Sequence, residues 1–301
     1  MDTDLDTLAT AVYVTIDDLL IAHPHVCPTR PVVGIAPATS DAEMITLAVI
    51  AQLLGFTNES RWVRWAKTHL TSMFPIIPNQ SGYNKRIRGL VTALAWCQRW
   101  IAQMTTQWCD SVWLVDSTPV ECARSRETVK RSDLAGDAEY GYCASHSRYF
   151  WGFRLHIIAT LGGLPVCFDL DGAKHGERDM LVNMLTHGGV DRPGQLLIAD
   201  KGYSGADLEQ LLADNQITLL RPAKKNEPDR PGSLLFKPFR QVIESINATL
   251  KTHFDIEHHR GRTLTGVITR ITTAMLALTT AIWHNENCGA PIARSLTAYD
   301  H

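Results

Sequence analysis

Apolar positions recur three and four residues apart through the first hundred residues, and beyond residue 110 they gather into short runs bounded by turn residues. In "SDAEMITLAVIAQLLG", Met44, Leu47, Ala48, Ala51 and Leu54 share one helical face, Ser40 and Glu43 have capping-box spacing, and Gly55 closes the segment. "ESRWVRWAKTHL" places Trp62, Trp65, Ala66 and His69 on one face of a second helix, with the tryptophans as core residues. A third helix is expected from near Ser81 through "YNKRIRGLVTALAWCQRWIAQM". "SVWLVDSTPV" (111–120) reads as a strand that ends at Pro119. Residues 149–170 read as a hairpin turning at Leu161-Gly162-Gly163-Leu164. The helix "ERDMLVNMLTH", the strand "QLLIAD", the helix "GADLEQLLADN" and the strand "ITLLRPA" follow, and then the helices "FRQVIESINATLKTHF" and "GVITRITTAMLALTTAIWHN". The pattern predicts an all-helical region over 1–105, a mixed α/β domain over 106–290 with a polar excursion at 121–148, and a tail at 291–301.

Composition narrows the class. Hydrophobic residues make up 45% and charged residues 20% of 301, as in a soluble globular protein. No apolar run reaches the ~18 residues that span a bilayer, so no membrane partner is expected. The start "MDTDLDTLAT" is acidic, unlike a signal or transit peptide. Seven cysteines without a C-x-x-C pair indicate neither a zinc ribbon nor a disulfide framework, and a reducing cytoplasm is the expected setting. Charge is unevenly distributed within a net of −2. Arg61, Arg64, Lys67, Lys85, Arg86, Arg88 and Arg99 fall between 61 and 100 with no acid among them, and 221–262 holds nine basic and five acidic residues. Such stretches suit a polyanion, or form a solvated basic face. Lys85, Arg86 and Arg88 lie near the expected start of the third helix, where the dipole disfavours cations and bound phosphates would neutralise them.

The candidate chemistry is carboxylate chemistry. In "LLIADKGYSG", Asp200 ends an apolar strand just before a turn, and Asp116 does the same in "WLVDST". An acid there serves as a helix cap, a sheet-end ion pair or a metal ligand, and one such residue leaves all three open. Glu244 lies within a later helix that can face both strand ends. Each pair of carboxylates ~4 Å apart repels by roughly 4 kcal/mol at an effective dielectric of ~20, so three together need a cation. An all-oxygen donor set suits Mg²⁺, with Mn²⁺ as substitute. His253, His258 and His259 read as a polar face, and no phosphate-binding glycine motif occurs.

Taken together, "VDSTPV", "IADKGY" and "FRQVIESINATLK" resemble the three signatures of the DDE transposases of bacterial insertion sequences. The spacings are 84 residues from Asp116 to Asp200 and 44 from Asp200 to Glu244. "RYFWGFRLHIIATLGGLPV" resembles the family's hairpin, and "FPIIPNQSGYNKRIRGL" resembles the N-terminal region of the insertion-sequence family numbered nine-eight-two. Phe239 stands where that family's signature has tyrosine. The resemblance implies a ribonuclease H-like mixed sheet flanked by helices, preceded by a helical DNA-binding region. It implies Asp116, Asp200 and Glu244 as catalytic metal ligands for Mg²⁺. It implies Arg240 and Lys251 as DNA phosphate contacts, an intrahelical salt bridge with Glu244 being the other reading of either. Lys201 and Tyr203 would touch the DNA end, unless the tyrosine packs on the sheet. Arg61, Arg64, Lys67, Lys85, Arg86 and Arg88 would bind the terminal inverted repeats. The implied activity is cleavage at transposon ends and transfer of the 3′-hydroxyl to target DNA, by a homodimer assembled on DNA in the bacterial nucleoid. A nuclease without strand transfer, or a silent DNA-binding derivative, is the alternative.

Overall fold

β-Branched and aromatic runs make the strands of one six-stranded mixed sheet. The computed structural model describes residues 4–299 except 30–33, 35, 144–146, 189–191, 226, 231 and 233–235. The helices are α1 (Leu5–Ala22), α2 (Asp41–Leu53), α3 (Glu59–His69), α4 (Gln80–Gly89), α5 (Val91–Gln103), α6 (Arg126–Lys130), α7 (Glu177–His187), α8 (Ala206–Asp214), α9 (Phe236–Thr252) and α10 (Leu264–Asn287). The strands are β1 (Val112–Ala123), β2 (Glu139–Cys143), β3 (Arg148–Thr160), β4 (Pro165–Gly172), β5 (Leu196–Ala199) and β6 (Thr218–Leu220).

Two units divide the chain: residues 1–104, 253–255 and 265–301 form one, and 105–252 with 256–264 form the other. Residues 265–290, expected with the sheet, belong to the helical unit. α10 carries a near-continuous buried face from Val267 to Asn285, and Gln98 of α5 donates to the Thr279 hydroxyl at 3.1 Å. α10 also corrects the expectation about membrane-length runs. It is long and apolar enough by composition to cross a bilayer, but 78% of its most apolar window is buried inside the protein. The expected third helix is two. Gly89 is a poor helix former, Leu90 N–H closes back on Ile87 O at 3.1 Å, and α5 restarts with Leu94 N–H on Leu90 O. Lys85, Arg86 and Arg88 therefore lie in the second half of a ten-residue helix. The dipole favours cations there, which removes the phosphate argument drawn from the expected helix start.

The sheet unit agrees with the expected mixed α/β architecture, a mixed sheet flanked by helices. β3 pairs antiparallel with β1 on one side, and on the other with β2 through its first residues and β4 through its later ones. β5 joins the free side of β1 in parallel, and β6 joins β5 in parallel. The hairpin turns with Gly163 at φ 92°, a left-handed conformation that suits glycine. β1 continues past Pro119 to Ala123, whereas the sequence reading ended it at the proline. β5 has stopped at Ala199, opposite Val115, so Pro119 faces only β3 in the ladder. The polar excursion contains α6 and β2, and its residues 144–146 lie outside the described ones. Under the sheet, Trp113, Val115, Ile158, Leu181, Met184, Leu197 and Tyr203 share one core, which fixes α7 and the turn after β5 against the strands.

Candidate active site at the ends of two parallel strands

Val115 opposite Ala199 is the last register pair between β1 and β5. Asp116 and Asp200 are the next residues on each chain, so their backbones stand about one strand spacing, ~4.8 Å, apart. Asp116 remains within β1, opposite Ile157. Its Oδ2 accepts a hydrogen bond from Asn247 Nδ2 of α9 at 2.8 Å. Burial pushes the Asp116 carboxyl up to about 6, the nearby charges of Asp200 and Glu177 add to the rise, and hydrogen bonds from Ser117 N–H and Asn247 oppose it. Asp200 is exposed and caps the short 3-10 turn Lys201–Tyr203, its Oδ1 accepting Gly202 N–H at 2.6 Å.

A third carboxylate reaches this point from α7. Glu177 Oε1 accepts from the Ser117 hydroxyl at 2.8 Å and from Arg154 Nη1 at 3.3 Å. Its Oε2 points at Gly202. A Cβ on Gly202 would stand 2.0 Å from Glu177 Oε2 and 2.8 Å from Asp200 Oδ1, so the two oxygens are no farther apart than those lengths laid end to end. The glycine is there for space, since its φ is not positive. Burial raises the Glu177 carboxyl above its usual range, and the Asp200 charge adds to that.

Asp116 and Asp200 thus come together, and Glu244 does not join them. Its side chain is 60% exposed and its Oε1 accepts from Arg240 Nε at 2.8 Å. Three residues on, Asn247 presents the α9 side chain that meets Asp116. Lys251 pairs with Glu257 at 3.2 Å. Tyr203 is fully buried and its ring packs in the core under the sheet, the second of the two readings given for it, in place of a DNA contact. Lys201 is exposed beside Asp200. Glu177 was missed because an acid in a helix's first turn reads as an ordinary dipole-favouring residue. No signal in a single sequence separates it from Asp179 two positions later.

The donors at the strand ends are all oxygens, a set that suits Mg²⁺ or Mn²⁺. Among the described residues, no group of three His, Cys, Asp or Glu side chains is placed to hold a metal ion. One feature fits a cation nonetheless. The Tyr203 hydroxyl is buried, with no hydrogen-bond partner among the described residues. Burial raises it well above the usual phenol range, and the charges of Glu177, Asp116 and Asp200 raise it further, so all three act on the same buried point.

A model of the transposase DDE domain matches residues 107–280, a span that holds Asp116, Glu177, Asp200 and Glu244. The chain belongs to the transposase DDE-domain family. Among solved structures, this transposase is similar to a chain described as the cryo-EM structure of piggyBac transposase synaptic complex with hairpin DNA. The TM-score is 0.42 at 10% identity, over 98% of this chain and 77% of that one. No curated protein matches the transposase in sequence.

The expected DNA-contacting cations of the transposase differ in availability. Arg61, Arg64, Lys67, Lys85 and Arg88 are exposed. Arg86 is half-buried, donating to Thr39 O and pairing with Asp41 at 2.7 Å. Within 221–262, Arg221 is 2% exposed and pairs with Glu209 and Glu227, and Arg230 also pairs with Glu209. That stretch is therefore less free for a polyanion than its formal charge suggests. His253 bonds Leu53 O, and His259 bonds Gly261 N–H and Cys122, so neither joins a metal group.

Proposed function

We propose that this transposase cleaves DNA at the ends of a mobile element and joins the freed ends to target DNA, with Asp116 and Asp200 as the principal metal-holding carboxylates. The observation that carries the reading is their placement on adjacent parallel strands, one step beyond the last paired residues. A bound pair of Mg²⁺ ions would stabilise the attacking and leaving oxygens of an in-line phosphoryl displacement. Asp116 would present its oxygens from a rigid central strand, fixed by Asn247. Asp200 would present its uncapped oxygen from the turn. In the first step a water oxygen bonds to phosphorus, the bond from phosphorus to the 3′-oxygen breaks, and that oxygen leaves as a hydroxyl. In the second step the same hydroxyl attacks a target phosphodiester and releases a new 3′-end.

Glu244 would enter when DNA binds. Its exposed i,i+4 pair with Arg240 is worth only about 0.5 kcal/mol, so a phosphate that attracts Arg240 releases the carboxylate. Lys251 and Lys201 would border the same phosphates, and the exposed cations of α3 and α4 would bind the inverted repeats. Pairing two ends calls for two active sites, hence a homodimer on DNA. The motif resemblance supports a bacterial insertion sequence of the family numbered nine-eight-two, and so a nucleoid location. Asp116→Asn is the test. Filter binding on end-bearing DNA should be unchanged, and strand cleavage should fall to background. Cleavage at the wild-type rate would rule the assignment out.

A further inference from the structure

We propose that Tyr140, Tyr142 and Tyr149, on the ribbon of β2 and β3, form a further DNA-binding surface that takes unpaired bases of single-stranded DNA by stacking. The inference rests on the reading that this transposase cuts DNA. Tyr142 stands opposite Tyr149 in the ladder and Tyr140 opposite Trp151, so the four rings share one face. Three of them are open to solvent: Tyr149 is 79% exposed, Tyr140 49% and Tyr142 48%, and the Tyr142 and Tyr149 rings lie 5.0 Å apart. Elsewhere among the described residues, no element exposes more than two large apolar or aromatic side chains. The other face of the ribbon is packed. Cys143, Phe150 and Ala173 form a small core there, and a Cβ on Gly141 would stand 2.7 Å from the Ala173 Cβ. Arg154 Nη2 also donates to Tyr142 O at 3.1 Å. The ribbon is thus held from its packed side, and the three rings facing water complete no core. Exposed apolar surface gathered in this way marks a binding site.

Ring chemistry and charge select the partner. Flat, rigid tyrosine rings offer a face on which any base stacks, and duplex DNA hides its base faces in its own stack, so only unpaired bases can use them. The charge at the foot of the ribbon suits a phosphate backbone. Arg148, next to Tyr149, and Arg124, just past β1, share the one carboxylate of Glu121, which is nearly buried. Arg260 and Arg262 are exposed on either side of Gly261. Gly261 N–H bonds His259, whose Nε2 lies 3.5 Å from Cys122 Sγ of β1. Beyond Trp151 the ladder between β3 and β1 has ended, and residues 148–150 pair with β2 alone. A two-stranded ribbon about 5 Å across lets Arg148 on one face and Tyr149 on the other serve one strand, with phosphates along the rim and bases on the rings. The ring face runs along β3 from Tyr149 to Ile157, which lies opposite Asp116. Eight residues of strand span roughly 26 Å, the length of about eight base pairs, so DNA at the candidate active site reaches the ribbon.

The test is fluorescence anisotropy on the full-length protein, with a labelled single-stranded oligothymidylate and, beside it, an end-bearing duplex. The triple variant Tyr140→Ala, Tyr142→Ala, Tyr149→Ala should raise the Kd for the single strand roughly tenfold or more and leave that for the duplex within about twofold. Tyr142→Phe with Tyr149→Phe keeps the rings and should leave both values within about twofold. A cross-strand ring pair also steadies a ribbon, so thermal unfolding is recorded for every variant. If the triple variant does not fold, Tyr149→Ser alone, at the most exposed of the three, should still weaken the single strand severalfold. Photocrosslinking a strand that carries 5-iodouracil should attach it to the β2–β3 ribbon. The inference falls if folded alanine or serine variants bind the single strand like wild type, or if the crosslink maps wholly outside the ribbon. It falls in favour of a contact between two copies of the chain if wild type sediments as a dimer, the alanine variant as a monomer, and single-strand binding is unchanged. A wild type that cuts end-bearing DNA but binds no oligothymidylate sinks this surface and leaves the strand-cleaving reading standing. One that binds the single strand through the tyrosines but cuts nothing does the reverse.

Discussion

Two helices bring an acid toward the ends of β1 and β5, and they do so in opposite manner. α7 begins with Glu177, which is bonded to Ser117 and Arg154 and pressed against Gly202. α9 carries Glu244 on its exposed side, where among the described residues it bonds Arg240 of its own helix. The first acid is part of a packed wall, because Leu181, Met184 and Leu185 anchor α7 in the core under the sheet. The second sits on a surface where its ion pair is screened and weak. The contrast separates an acid fixed by packing and burial from an acid held only by a weak, exposed ion pair.

The largest expected effect tests what both helices serve. Asp200→Asn should lower strand cleavage roughly a thousandfold or more, as losses of a central catalytic group do. Next comes the helix comparison itself. Glu244→Gln should lower cleavage at least about a hundredfold while leaving the folded stability unchanged, because an exposed helix glutamate contributes little to packing. A wild-type cleavage rate in that variant would remove α9 from the chemistry.

Proton linkage gives a third, smaller effect. Asp116 holds its proton up to about 6 in the folded chain, against an ordinary aspartate value of 3.8, so between those values the folded state binds more protons and rising pH lowers stability. His156 is fully buried, with neither ring nitrogen bonded among the described residues, and burial, helped by the Arg154 charge, pushes it down to about 4 from 6.5. There the unfolded state binds more protons, and falling pH lowers stability. The two slopes oppose each other between about pH 4 and 6. Asp116→Asn removes one, so its stability relative to wild type should climb by about 1 kcal/mol per pH unit over that window. Urea unfolding in chelator across the range measures it, and a flat difference would show that Asp116 is not held protonated. Smaller still, Tyr203→Phe removes an unbonded buried hydroxyl and should stabilise the metal-free protein by up to about 1 kcal/mol. Arg240→Gln, on the α9 side, should change stability by no more than about 0.5 kcal/mol.

Five of the six strands were legible as apolar runs bounded by turn residues, and the hairpin turn was marked by Gly162-Gly163, whereas β2 lies in the polar excursion and β1 runs on past Pro119. The two aspartates were legible for the same reason: each follows directly on such a run. What escaped depends on tertiary contacts. The break at Gly89-Leu90 is one poor helix former inside a continuous helical pattern. For Tyr203 the sequence left two readings, and the fold of the turn after β5 under the sheet decides for packing. The assignment of α10 to the helical unit is a choice of partner for an apolar helix that fits either side by pattern alone. Glu244 was legible through its signature segment, whereas the bonding of Glu177 to Ser117 and Arg154 and its packing on Gly202 are set by tertiary contacts.

The most direct measurement is an anomalous-difference map from crystals of the protein soaked in Mn²⁺. A peak within roughly 2.0–2.6 Å of oxygens from both Asp116 and Asp200 would place the cation at the ends of the two parallel strands, as the account predicts. A protein that takes up Mn²⁺ elsewhere, or leaves those two carboxylates without a peak while they remain ordered, would contradict it.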